Sequence, residues 1–213
     1  DDKKPVGEIT AVMAPEDENE AAMKELLAQA GFPLFFPQDV LEAAAELPVV
    51  LDEAEIAKRR DCRDLKTFTI DPIDAKDFDD ALSIRKLPSG LYEIGVHIAD
   101  VSYYVLPDTD LDAEAYKRAT SVYLPDRVNP MLPEKISNEL CSLRPNEDKF
   151  TFSAIFQIND EAQVKQYWLG RTVIHSDRRF AYEEVQEIID TKVGDHAEDI
   201  LVLHSLAQKF RQA

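Results

Sequence analysis

The hydrophobic positions along this chain change period near residue 65. Before it they recur at helical spacing. Residues 18–30 (ENEAAMKELLAQA) put Ala22, Met23, Leu26, Leu27 and Ala30 on one face, and Gly31 ends the run. Residues 33–37 (PLFFP) read as a proline-bracketed turn, 38–47 as a second helix, and the charged stretch 52–60 as a third. A strand pattern at 6–12 (VGEITAV) has no neighbouring partner and reads as the last strand of an upstream domain. The leading section holds too little apolar surface for its own core. It is expected to lie as a linker on the strand-rich remainder of the chain.

From Thr67 the period is that of strands. Residues 67–71 predict one, and 81–87 with 91–98 predict a hairpin around Pro88-Ser89-Gly90. Residues 112–120 predict a helix, 122–124 a short strand stopped by Pro125, and 133–140 a helix with proline in its first turn. Residues 149–158 (KFTFSAIFQI) alternate strictly, and 163–174 return across Asn159-Asp160 as a second long hairpin. A helix is expected over 180–190. The capping-box spacing at 195–198 (DHAE) opens a last helix, with Ile200, Leu203, Leu206, Ala207 and Phe210 along one side. The fold class expected is α+β: a mixed or antiparallel sheet with long hairpins, packed by helices and preceded by a helical linker. The stripe on the last helix has no later partner, so the chain reads as truncated at both ends.

Composition narrows the class only a little. With 45% hydrophobic and 31% charged residues, the chain is of ordinary globular type. Its net charge of −18, from 24 basic and 42 acidic residues, argues against sequence-independent duplex binding through bulk charge. A nucleic-acid enzyme stays open, because a metal ion or a local basic groove offsets bulk charge. Cys62 and Cys141 have no paired spacing and read as buried thiols of a reduced compartment. No apolar run approaches the ~18 residues of a membrane span and there is no signal-peptide pattern, so a cytoplasmic protein without membrane contact is expected.

The chemistry concentrates in residues 69–81, TIDPIDAKDFDDA, with aspartates at 71, 74, 77, 79 and 80. Like charges at 4 Å repel by roughly 1 kcal/mol even in water, and by more where the site is drier. Apolar runs on both sides place the cluster inside a fold. Carboxylate oxygens are hard donors that suit Mg²⁺, Mn²⁺ or Ca²⁺. A calcium-binding loop is excluded, because neither Asp71 nor Asp77 begins the required alternation. On an extended backbone Asp77 and Asp79 face one way and Asp80 the other, so their convergence needs a bend. The bland alternative is a solvated acidic turn. Open carboxylate metal sites usually take phosphate as well, which points to phosphodiester or other phosphoryl hydrolysis.

Residues 69–81 resemble the catalytic aspartate motif of the ribonuclease II and ribonuclease R family of 3′-to-5′ exoribonucleases. HIADVSYYV (97–105) and SVYLPDRVNPMLPEKISNELCSLRP (121–145) resemble the next two blocks of that catalytic domain, in order and spacing. GFPLFFP and RDLKTFTI resemble the linker that leads into it. The resemblance implies that residues 1–64 are the end of a cold-shock barrel plus linker. Residues 65–213 would be the N-terminal part of the RNB catalytic domain, lacking its channel-closing helices. It implies that Asp71, Asp77 and Asp80 hold Mg²⁺ (or Mn²⁺) and that Asp79 is most needed for cleavage, through a second metal or the attacking water. Asp74 carries no ligand role. Tyr123 matches the tyrosine that stacks on the 3′-terminal base, and Tyr182 a tyrosine near the terminal sugar; core packing and a helix-face aromatic are their plain alternatives. Arg144 and Arg127 are candidate phosphate contacts. Lys165, Arg171, Arg178 and Arg179 form a basic edge or a solvated face. His97 and His175 read as packing histidines. The partner implied is single-stranded RNA, bound by a full-length monomer that releases nucleoside 5′-monophosphates, with the present chain alone inactive. The alternative is a non-catalytic relative that keeps the fold to bind RNA or protein.

Overall fold

The computed structural model describes residues 18–212. The strand expected at 6–12 lies outside them. The leading helices α1 (Glu18–Gln29), α2 (Gln38–Glu46) and α3 (Glu53–Ile56) precede a seven-stranded sheet. Its strands are β1 (Arg60–Asp61), β2 (Thr67–Asp71), β3 (Asp80–Lys86), β4 (Tyr92–Ala99), β7 (Glu147–Ile158), β8 (Val164–Ser176) and β9 (Arg178–Ala181). Between β4 and β7 the chain forms α4 (Val101–Tyr104), α5 (Asp110–Arg118), the two-stranded ribbon β5 (Val122–Tyr123) and β6 (Val128–Asn129), and a π-helical turn, Lys135–Leu140. Helices α6 (Tyr182–Thr191) and α7 (Ala197–Gln212) close the order. No helix among the described residues is long and apolar enough to cross a membrane.

The sheet runs β1-β8-β7-β4-β3-β2-β9. Its centre is antiparallel, while β1 on β8 and β9 on β2 are parallel edges. The α+β class and both long hairpins are as expected. The hairpin at 88–90 turns through Gly90 at φ 87°, a left-handed conformation for which glycine is suited. One sheet face packs on α6 and α7 through Phe68, Phe180, Ile188, Ile200 and Leu206. The other lies beneath α2, α4, α5 and the π-helical turn, around Val40, Phe78, Leu111, Ile136 and Leu143.

Several expected boundaries are corrected by tertiary contacts. The third helix spans Glu53–Ile56 only, and Arg60 belongs to a strand. Arg59 is the reason: its buried guanidinium lies 2.7 Å from Asp100 and 4.1 Å over the Phe150 ring, which draws the chain down onto the sheet. The fifth helix starts at Asp110, two residues early, because the Thr109 hydroxyl accepts from the Asp112 amide at 3.3 Å and caps it. Phe180 is not helical. It lies near the end of a strand, where it meets Phe68 edge to face at 5.6 Å. Residues 135–140 are π-helical rather than α-helical.

The leading section is bolted to the ribbon. Arg118 donates to the Phe35 carbonyl at 2.7 Å and stacks 3.7 Å from the Phe36 ring. Asn129 donates to Pro33, and Asn19 reaches Asp126 at the ribbon turn. Cys62 and Cys141 are buried free thiols, as expected, and burial raises the Cys141 thiol to about 12.

Candidate active site

Strands β2 and β3 share only two register pairs, Thr67↔Ser83 and Phe68↔Leu82. Beyond them the strands part. β2 continues beside β9 to the pair Asp71↔Ala181, and β3 begins at Asp80 opposite Ile98. The gap is bridged by residues 72–79, an irregular loop, so Asp71 and Asp80 stand at its two ends. This splay supplies the bend that the alternation of Asp77, Asp79 and Asp80 demanded.

Electrostatics shows that the four carboxylates are neighbours. Burial raises the Asp71 carboxyl; the nearby Thr69 hydroxyl and the Arg179 charge oppose the shift, and the charges of Asp80 and Asp77 add to it. Asp79 reaches solvent at its surface, yet lost hydration and the charges of Asp77, Asp80 and Asp71 push it up to about 6. Asp71 Oδ2 is buried without a hydrogen-bond partner. Among the described residues, however, no three acidic, histidine or cysteine side chains are arranged as a ready-made cation cage. The donors are hard and crowded and one oxygen is orphaned, which fits a divalent cation in chemistry. Coordination needs them to draw closer. Asp74 lies on the exposed turn closed by the Ala75 amide on the Pro72 carbonyl.

Tyr123 joins this group. The residue is 66% exposed, and its hydroxyl donates to Asp77 Oδ2 at 3.1 Å. Partial burial and the Asp77 charge raise its phenol, which keeps it a donor. The core-packing alternative for Tyr123 is therefore set aside. Tyr182 is exposed one residue beyond Ala181, the register partner of Asp71, at the same end of the sheet. Arg144 pairs with Glu147 at 3.2 Å and lines a cleft of about 430 Å³ with Val49, Tyr104 and Lys149. Arg127 pairs with Asp126 on the ribbon turn. In the basic edge, Lys165 bonds Gln163, Arg171 faces Asp100 and Arg178 pairs with Glu184. His97 is fully buried between Ser153 (2.7 Å) and Ser83 (2.8 Å), and His175 bonds Asp148, so both are satisfied.

One residue of that edge matters more than its sequence signal. Arg179 donates to the Pro72 carbonyl, lies 5.5 Å from the Phe78 ring and is the cation felt by Asp71. Only the parallel pairing of β9 with β2 brings it there; the sequence offered no more than a double arginine.

The fold agrees with comparisons to known proteins. Residues 59–213 match the RNB domain family. The chain belongs to that family, the ribonuclease II and ribonuclease R exoribonucleases its motifs resemble. Among its relatives, ribonuclease R 1 of Lactococcus lactis is 39% identical over 215 residues, covering 97% of this chain and 26% of that protein. A protein of Arabidopsis thaliana described as an inactive exonuclease DIS3L2 is 43% identical over 196 residues, covering 92% of this chain and 18% of the relative. Ribonuclease R of Mycoplasma genitalium superposes with a TM-score of 0.85 in a complex with double-stranded RNA and 0.84 with ribose-methylated single-stranded RNA. Both are 29% identical and cover 92% of this chain, and 36% and 31% of theirs. The chain thus spans about a quarter of the length of its first relative.

Proposed function

We propose that this chain forms the metal-binding side of a 3′-to-5′ hydrolytic exoribonuclease that releases nucleoside 5′-monophosphates from single-stranded RNA. The observation that carries the reading is the four-aspartate cluster at the strand splay, with its orphaned Asp71 oxygen and a stacking-competent tyrosine bonded to Asp77. Asp71, Asp77 and Asp80 would hold Mg²⁺ or Mn²⁺, with Asp79 at a second ion or at the attacking water. A bound divalent cation supplies charge neutralisation at the scissile phosphate. Tyr123 offers its exposed face to a terminal base, a contact that tolerates any sequence and contributes ~1–3 kcal/mol per base. Its hydroxyl ties that face to Asp77, so base and carboxylate keep one spacing. Tyr182 would stand near the terminal sugar. The chain alone is proposed to cleave RNA weakly or not at all, since its relatives are several times longer. A cytoplasmic, monomeric, membrane-free intact protein completes the reading.

A second reading, an RNA- or protein-binding relative without catalysis, has two observations in its favour. One relative is described as inactive, and the described carboxylates form no ready cage. Mn²⁺ titration of the chain separates the two readings. The expected result is binding that disappears when Asp71, Asp77, Asp79 and Asp80 are all changed to Asn. A wild-type chain that ignores millimolar Mn²⁺, or a quadruple variant that binds as well, removes the nuclease assignment. A 5′-labelled RNA gel with Mg²⁺ tests the second half, and strong laddering by the chain alone contradicts its proposed inactivity.

A further inference from the structure

The loop 72–79 has no ladder or helix of its own to hold its backbone, yet Asp77 sits within it. Arg179 holds its start at the Pro72 carbonyl and the Ala99 amide its end at the Asp79 carbonyl, and its middle is held by a segment remote in sequence. Ser142 follows the π-helical turn and is fully buried. Its hydroxyl donates to the Lys76 carbonyl at 2.9 Å and accepts from the Phe78 amide at 3.1 Å. The next amide, Leu143, donates to the Phe78 carbonyl at 2.8 Å. These three bonds straddle Asp77, and their anchor is rigid because Leu143 is wholly buried in the core cluster that holds Cys141 and Ile136. Serine suits the place because one hydroxyl gives and takes a hydrogen bond at once. Alanine would orphan the buried Phe78 amide and free the part-buried Lys76 carbonyl.

We propose that Ser142 is a positioning residue: its hydroxyl fixes the backbone on both sides of Asp77 and so sets where that carboxylate meets the cation and the RNA end. The inference rests on the exoribonuclease reading for its last clause and on the hydrogen bonds alone for the rest. A residue that merely satisfies buried backbone would affect stability and nothing else.

Amide hydrogen exchange, Mn²⁺ titration and RNA turnover in the intact protein decide it. In Ser142→Ala the Phe78 amide is expected to exchange about tenfold faster, while the β7 amide of Ile155 keeps its protection. Mn²⁺ affinity falls about tenfold, and kcat falls on the order of a hundredfold with KM moved less than about threefold. Ser142→Thr keeps the hydroxyl and restores most of kcat. If the alanine variant does not fold, Ser142→Cys, of similar volume but a weak donor, is expected to show the same changes at smaller size. Unchanged Phe78 exchange, or a loss that Ile155 shares in equal measure, or kcat and KM moving together, overturns the proposal. If the unmodified protein binds no Mn²⁺ and cleaves no RNA, the function assignment fails, while the exchange at Phe78 still reports whether Ser142 clamps the loop.

Discussion

Strands β2 to β4 carry two polar clusters of opposite character. In the interior, both nitrogens of His97 are bonded, by Ser83 on β3 and Ser153 on β7, and the hydroxyls of Thr151 and Thr172 extend the network to β8. A Cβ at Gly95 would come within 2.5 Å of the His97 ring and of Ser83 Oγ, so glycine leaves room for that imidazole. At the end of the same strands, Asp71 keeps an unpaired buried oxygen and Asp79 is crowded by three charges of its own sign. The first cluster is complete and needs nothing from outside. The second is compensated only in part from within, by Arg179 beside Asp71 and the Tyr123 hydroxyl on Asp77, and a cation from outside would relieve the rest. Burial of polar groups alone does not mark a functional site; an unpartnered buried oxygen together with crowded like charges makes a candidate.

The largest expected difference between the two clusters is in catalysis. Asp79→Asn should lower RNA turnover by the intact protein on the order of 10³-fold with little change in RNA binding, as single-turnover kinetics would show. A loss below tenfold would take Asp79 out of the reacting centre.

Next comes stability, where the clusters respond to pH with opposite sign. Burial lowers His97 from 6.5 to about 4. An imidazole whose folded value lies below its unfolded one contributes stability that is present above 6.5 and is lost as pH falls towards 4, in all roughly 3 kcal/mol. Asp79 is raised from 3.8 to about 6, so its contribution is present below 3.8 and is lost as pH rises through 6. Urea unfolding at pH 7.5 and pH 5 in EDTA should therefore show the acid loss shrink in His97→Gln. In Asp79→Asn the acid loss should deepen, because the opposing contribution is gone. Mg²⁺ should stabilise the protein above pH 6 and leave His97→Gln and wild type equally responsive. Identical pH profiles for both variants and wild type would dissolve the contrast.

The smallest effect falls on Tyr123, which touches the open cluster from outside. Tyr123→Ala should weaken single-stranded RNA binding by roughly tenfold to a hundredfold, the value of one stacked base. Tyr123→Phe keeps the ring, loses only the bond to Asp77, and should stay within about threefold. Equal losses for both would assign the role to the hydroxyl instead of the ring.

Much of this was legible in the chain. Strand β2 has the predicted bounds because TFTID combines alternation with β-branched residues, and both hairpins follow their turn residues. The four aspartates and Tyr123 could be singled out through local spacing and family motifs. Elements decided by a distant partner were not legible. Strand β1 has two residues, too few to show a period, and exists because β8, more than a hundred residues later, lies alongside. Arg59 and Arg118 carry no local signal of burial, yet both are buried. Arg59 meets Asp100 and the Phe150 ring, and Arg118 meets the Phe36 ring and the Phe35 carbonyl, all remote in sequence.

The sequence by itself determined the periodicity, the turns and the presence of too many carboxylates in one short stretch, because these depend on neighbours along the backbone. Only the tertiary structure decided that β2 and β3 part at that stretch, that Arg179 stands beside it, that the Tyr123 hydroxyl bonds Asp77, and that Ser142 holds its backbone. Contacts between residues tens of positions apart are set by how sheet and helices pack, and no local pattern encodes them.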